Sequence, residues 1–173
     1  MVSDSPTVIL VAGLPGSGKT FFATQLAEAL GITHINSDAV RNQMHASGRY
    51  QMKDKVTVYH EMARIAGKEL VMKKSVVIDA TFHHHSMREV FTHLAQEFGC
   101  HLRYIMIEAS ETLISERLKK KRVDSEADMQ VYYKIKSQYE PLTLPHLVLE
   151  SKEDNVVSMV ESALSYLELY DQP

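Results

Sequence analysis

With a single cysteine, Cys100, the chain cannot close a disulfide within itself, and a reducing compartment, the cytoplasm, is its expected setting. Cys100 itself reads as a small buried residue at the start of a strand. Glycine and proline are sparse, at seven and five residues, and no low-complexity tract or internal repeat is present, which excludes a disordered chain. Basic residues are not in excess either. The formal net charge of −3 leaves no whole-surface positive field of the kind that drives non-specific binding to nucleic acid, although a local basic site stays open. Long hydrophobic runs are also missing. Residues 1–7 lack a basic segment followed by an apolar one, and residues 8–12 are too short for a signal or membrane segment, so no membrane partner is expected. The length, 173 residues, fits one domain spanning 1–173 with a sizeable core.

What is present alternates. Thr7-Val8-Ile9-Leu10-Val11-Ala12 is an apolar, β-branched run ending at glycine, as expected of a central parallel strand covered on both faces. A helical pattern follows through Phe22, Ala23, Leu26, Ala27 and Leu30, closed by Gly31. A short strand is predicted over 33–36, with Ser37 or Asp38 capping a helix to about residue 46, a loop at 48–52 and a longer helix over 54–73. The buried side of that longer helix is predicted to carry Val58, Met62, Ile65, Ala66, Leu70 and Val71. Further strands are predicted at 75–79, 101–108 and 147–149, each followed by a helix, with an additional helix between a break at 123–125 and Pro141. Such repetition implies a parallel sheet between helices, with ligands bound beyond the carboxyl ends of the strands.

The chemistry falls in those loops. Gly13-Leu14-Pro15-Gly16-Ser17-Gly18-Lys19-Thr20 matches the phosphate-loop pattern and lies between a predicted strand and helix, the context the motif requires. Glycines let backbone N–H groups approach a phosphate chain, and the helix N-terminus adds its positive dipole end. Lys19 is placed to reach the β- and γ-phosphates of ATP, and the Thr20 hydroxyl to ligate magnesium. Asp79 ends a strand where a second acidic residue near that metal should sit; its plainer reading is a residue capping the strand exit.

Asp38, just past the second strand, is placed to orient an acceptor hydroxyl and take its proton, and Arg41, one turn onward, to hold an anionic group on the acceptor. An ordinary helix cap with a solvated arginine is the alternative. The basic run 117–122 precedes the break at 123–125, so Arg117 and Arg122 are candidates to stabilise charge on the transferred phosphoryl group from a lid spanning about 117–140, while Lys119, Lys120 and Lys121 read as a solvated face. His83-His84-His85 argues little for a metal site, because adjacent residues diverge in direction; a substrate contact from His83 competes with a plain surface loop. Tyr132, Tyr133 and Tyr139 read as packing residues rather than base-stacking ones.

The phosphate loop, the Asn36-Ser37-Asp38 to Arg41 segment, Ile78-Asp79-Ala80-Thr81 and the basic helix ending at Arg122 together resemble the small P-loop kinases grouped with the kinase half of phage polynucleotide kinase and with zeta-type toxin kinases. The resemblance spans about residues 8–150. It implies an α/β, three-layer P-loop NTPase fold with a five-stranded parallel sheet between helices and a small helical lid, Asp38 as the base-like residue, Arg41 as the acceptor-side contact, and Arg117 or Arg122 as lid arginines. The expected activity is transfer of the γ-phosphate of ATP, with Mg2+, to a hydroxyl on a small molecule; a polynucleotide 5′-hydroxyl kinase and a P-loop switch without an acceptor are the alternatives.

Overall fold

The computed structural model describes residues 5–44, 52–121 and 125–170. Twelve elements follow one another: β1 (Thr7–Ala12), α1 (Lys19–Leu30), β2 (Thr33–Asn36), α2 (Ser37–Gln43), α3 (Met52–Val71), β3 (Val76–Ala80), α4 (His85–Phe98), β4 (His101–Glu108), α5 (Glu111–Lys121), α6 (Ser125–Gln138), β5 (Leu147–Glu150) and α7 (Val156–Tyr170). The five strands pair in parallel in the order β2-β3-β1-β4-β5. Chain order reverses beside β1, so the loop after β1 opens into the crevice where parallel α/β sheets bind ligands.

Side-chain alternation along the strands builds one core on each face. Val8, Leu10, Val76 and Ile78 pack with Val58, Met62, Ala66 and Leu70 of α3 and with Met87 and Phe91 of α4. Ile9, Val11, Val77, Ile105 and Ile107 turn the other way, onto Phe22, Ala23 and Leu26 of α1 and Met159, Ala163 and Leu167 of α7. The all-apolar strands seen in the sequence are thus the inner layer of a three-layer α/β sandwich.

Three local expectations are corrected. Helix α2 is capped by Asn36, whose side-chain oxygen accepts from the Ala39 backbone N–H at 2.9 Å, so neither Ser37 nor Asp38 is the cap. Helix α2 stops at Gln43. Val71 is 69% exposed, because α3 ends there and the chain turns through Lys73, at φ 59°, before entering β3. The loop foreseen at 48–52 lies mostly outside the described residues, and so does the break foreseen at 123–125, whose last residue, Ser125, begins α6.

The loop leaving β3 is held tightly. Phe82 has a φ of 48°, an uncommon conformation for a residue with a side chain, and its N–H donates to the Tyr59 hydroxyl at 3.2 Å while its carbonyl accepts from Arg88 Nε at 2.8 Å. Its ring stands edge-on to Tyr59 and Phe91, at 5.3 and 5.5 Å between centroids. Phe91 is wholly buried in this cluster. Phe91→Ala is expected to destabilise the fold by about 3–5 kcal/mol, since the tightly packed site cannot close over the lost ring. Urea unfolding followed by circular dichroism measures it; a loss below about 1 kcal/mol would show that the cluster does not hold the loop.

Candidate active site

The phosphate loop connects β1 to α1 with contacts that demand glycine. A Cβ on Gly13 would lie 2.7 Å from both the Ile107 carbonyl oxygen of β4 and the Ser17 hydroxyl, so the loop can pass there only without a side chain. Gly18 has a φ of 90°, in the left-handed region glycine occupies freely, and precedes the first residue of α1. Ser17 is buried, and its Oγ has no partner among the described residues. Lys19 folds back with Nζ 3.4 Å from the Leu14 carbonyl.

Asp79 sits at the exit of β3 with no exposed surface. Thr20 Oγ1 donates to Asp79 Oδ1 at 2.8 Å, and Asn36 Nδ2 reaches both carboxylate oxygens at 3.0 and 3.1 Å. His34 Nε2 donates to Oδ2; the carboxylate can only accept, so this nitrogen carries the proton. Thr20 and Asp79, from different elements, thus present adjacent oxygens, the donor type that magnesium takes.

On the β2 side, Asp38 lies in the first turn of α2, its side chain 78% exposed, and accepts from Arg41 NH1 at 2.8 Å. Arg41 is largely buried. Lys55 of α3 is half-buried and its pKa is lowered, first by burial and then by the charges of Lys134 and Arg41 beside it. His83 is 2% exposed, with Nδ1 2.8 Å from the Thr81 hydroxyl and Nε2 without a partner among the described residues. Burial, then the neighbouring charge of Lys55, lowers its pKa to about 4, so the ring is neutral at pH 7.

On the opposite flank, Arg117 of α5 donates to the Gly16 carbonyl at 3.2 Å and to Ser151 Oγ at 2.9 Å, tying the phosphate loop to the turn after β5. Arg122 lies outside the described residues. Lys119 and Lys120 are exposed. Helix α6 runs between the two flanks. Tyr132 is buried with Ile114 and Leu118 and meets Leu14 of the loop, while Tyr139 donates to the Thr81 carbonyl at 2.8 Å and the Glu140 N–H to the His83 carbonyl at 2.8 Å. Tyr133 is surface-exposed and bonds Glu111.

The structure therefore joins Thr20 to Asp79, leaves the Lys19 ammonium on the Leu14 carbonyl, pairs Asp38 with Arg41 beside Lys55 and His83, and sets Arg117 apart, on the β5 side. Sequence reasoning missed His34, Lys55 and the Asn36 amide. The signal for His34 and Asn36 was available: residues two apart on a strand share a face, and Asn36 pairs directly opposite Asp79. Lys55 carried none, because its place depends on how α3 crosses the sheet.

The sequence pattern of the AAA domain family matches residues 8–142. A probable adenylyl-sulfate kinase from Aeropyrum pernix is 26% identical over 171 residues, covering 92% of this chain and 89% of that protein. The fold is shared with the APS kinase of Mycobacterium tuberculosis solved with AMPPNP and APS, at a TM-score of 0.79 and 18% identity over 95% of this chain and 98% of that one. It is also shared with a gluconokinase from Sinorhizobium meliloti, at a TM-score of 0.76 and 18% identity over 96% and 94% of the two chains. The likeness stands at the level of P-loop kinases rather than, specifically, phage polynucleotide kinase or zeta-type toxin kinases. Phosphate loop, parallel sheet and family pattern agree: the chain belongs to the AAA domain family, among its ATP-binding P-loop kinases.

Proposed function

We propose that the protein transfers the γ-phosphate of ATP to a hydroxyl group of a small, anionic acceptor. The observation that carries this reading is the exposed Asp38 carboxylate, held by a buried Arg41 on the helix that follows β2, two strands from the phosphate loop. A protein that only binds or hydrolyses ATP has no need of such a pair. The anionic character of the acceptor is supported by Lys55, whose charge is disfavoured first by burial and then by the nearby cations Lys134 and Arg41. An anion among them relieves that repulsion. The relatives' names point the same way, to kinases of adenylyl sulfate and of gluconate, both small anions.

In this reading the backbone of residues 13–18 cradles the phosphates, and Lys19 swings from the Leu14 carbonyl onto the β- and γ-phosphates. Thr20 and Asp79 would hold magnesium, directly or through water, and the ion would supply positive charge to the phosphate chain. Asp38 orients the acceptor hydroxyl and accepts its proton as the phosphoryl group leaves ATP. Arg41 and Lys55 hold the acceptor's anionic group; His83, neutral, is buried beside Lys55, and a substrate contact from it requires its Nε2 to be uncovered. Arg117 braces the loop through Gly16, and Arg122 is proposed as the second lid cation.

Asp38→Asn is expected to lower transfer by about 10²–10⁴ at saturating ATP and acceptor with magnesium-ATP affinity unchanged, because the amide keeps the shape but cannot take the proton. The helix cap is not in play, since Asn36 provides it. Calorimetry for binding and labelled-phosphate transfer for turnover separate the two effects; full transfer in the variant would remove Asp38 from the chemistry.

His83 gives a pH signature. Its folded pKa, about 4, lies below the usual value of 6.5, so the unfolded chain takes up the proton first. The stability at stake is fully present above pH 6.5 and is lost as pH falls toward 4, by about 3 kcal/mol in total. His83→Asn, which can keep the bond to Thr81, is expected to lose less stability over that interval than wild type. Parallel acid-induced losses in urea titrations of both proteins would contradict it.

A further inference from the structure

His83 turns into the core, but His84 and His85 do not diverge as neighbouring residues on a helix would. His84 is the cap of α4, extended at φ −120° and ψ 140°, and His85 is the first helical residue. This change of conformation brings their rings together, stacked at 4.7 Å between centroids and 28° between planes. Both face one carboxylate. His84 Nε2 lies 3.1 Å from Glu140 Oε1, and His85 Nδ1 lies 2.8 Å from Glu140 Oε2. An imidazole lone pair projects along the direction an N–H would, so two neutral rings aim two lone pairs at the place the carboxylate occupies.

From this convergence we propose that His84, His85 and Glu140 form a binding site for a transition-type divalent cation such as Zn2+, separate from Thr20 and Asp79. The three donor atoms all lie within 4.8 Å of one another, and ligand bonds of about 2.0–2.2 Å require the two rings and the Glu140 carboxylate to close around the ion. That carboxylate is 36% exposed and has room to move, and water completes the coordination. Donor chemistry separates the two sites. Imidazole nitrogens favour zinc, cobalt or nickel, whereas the oxygens of Thr20 and Asp79 suit magnesium.

The ligands stand on a fixed frame. His84 Nδ1 accepts the Ser86 N–H at 3.2 Å and lies 2.7 Å from the Ser86 hydroxyl; when Nε2 binds the ion the ring proton moves to Nδ1, which gives up the cap bond and donates to that hydroxyl. The Glu140 N–H donates to the His83 carbonyl at 2.8 Å, and the Glu140 carbonyl accepts from Arg88 NH2 at 2.5 Å. A bound ion therefore joins the start of α4 to the segment that leaves α6, the helix crossing the mouth of the site, and strengthens a junction already made by hydrogen bonds.

The test uses tag-free, full-length protein stripped with a chelator and free of nucleotide. Zn2+ is titrated calorimetrically in excess Mg2+, and Co2+ is followed by its visible absorption. One equivalent of Zn2+ is expected to bind despite the magnesium, with affinity at least about tenfold weaker in His85→Ala and in Glu140→Gln. His85 is exposed and does not cap α4, so His85→Ala keeps the fold, and a thermal-shift control should show Zn2+ raising the melting temperature of wild type alone. No binding tighter than millimolar, or equal binding in wild type and His85→Ala, would overturn the site and leave Glu140 as a hydrogen-bond acceptor for the His85 N–H.

Discussion

The Asp79 carboxylate is the group on which the site depends. A carboxylate removed from water needs full hydrogen-bond compensation, and Asp79 finds it from three side chains on two other elements: Thr20 of α1, and His34 and Asn36 of β2. The compensation fixes geometry as well as energy. Thr20 is the second residue of the helix that follows the phosphate loop, so the bond to Asp79 sets that helix against β3. Asn36 uses its amide nitrogen on Asp79 and its oxygen to cap α2, which carries Asp38 and Arg41. The helix after the phosphate loop and the helix that carries Asp38 and Arg41 are therefore registered to each other through one buried carboxylate.

Helix α6 makes the second connection. Its Tyr132 packs into the small apolar cluster against Leu14, and its far end bonds the loop after β3 through Tyr139 and Glu140. Burial in that position raises the pKa of Tyr139 far above the usual tyrosine value, so it stays a hydrogen-bond donor to the Thr81 carbonyl. The helix and the segment that leaves it are thus tied to the phosphate loop on one flank of the crevice and to the loop after β3 on the other.

Much of this was legible in the sequence because it is local. Strand β1 announces itself by an apolar run ending at glycine, and the phosphate loop by fixed spacing, both governed by backbone sterics within a few residues. The α2 cap was misplaced by one or two residues because Asn, Ser and Asp stand consecutively and all cap well; only the carboxylate across the sheet shows why Asn36 is chosen. The direction of His84 and His85 was misjudged for a related reason. Divergence of neighbours assumes uniform helical geometry, whereas a cap residue and the first helical residue have different backbone angles. Lys55, His34 and Glu140 acquire their neighbours only from packing between elements distant in sequence.

The proposed reaction requires the Asp38 side of the crevice to receive a small anion bearing a hydroxyl. The direct measurement supplies γ-labelled ATP and magnesium with pools of small hydroxyl compounds sorted by charge, and separately with 5′-hydroxyl oligonucleotides, and asks where the label resides. Label is expected on a compound in the anionic pool, with little released as inorganic phosphate. Label on the oligonucleotides or the neutral pool, or release as free phosphate alone, would contradict it.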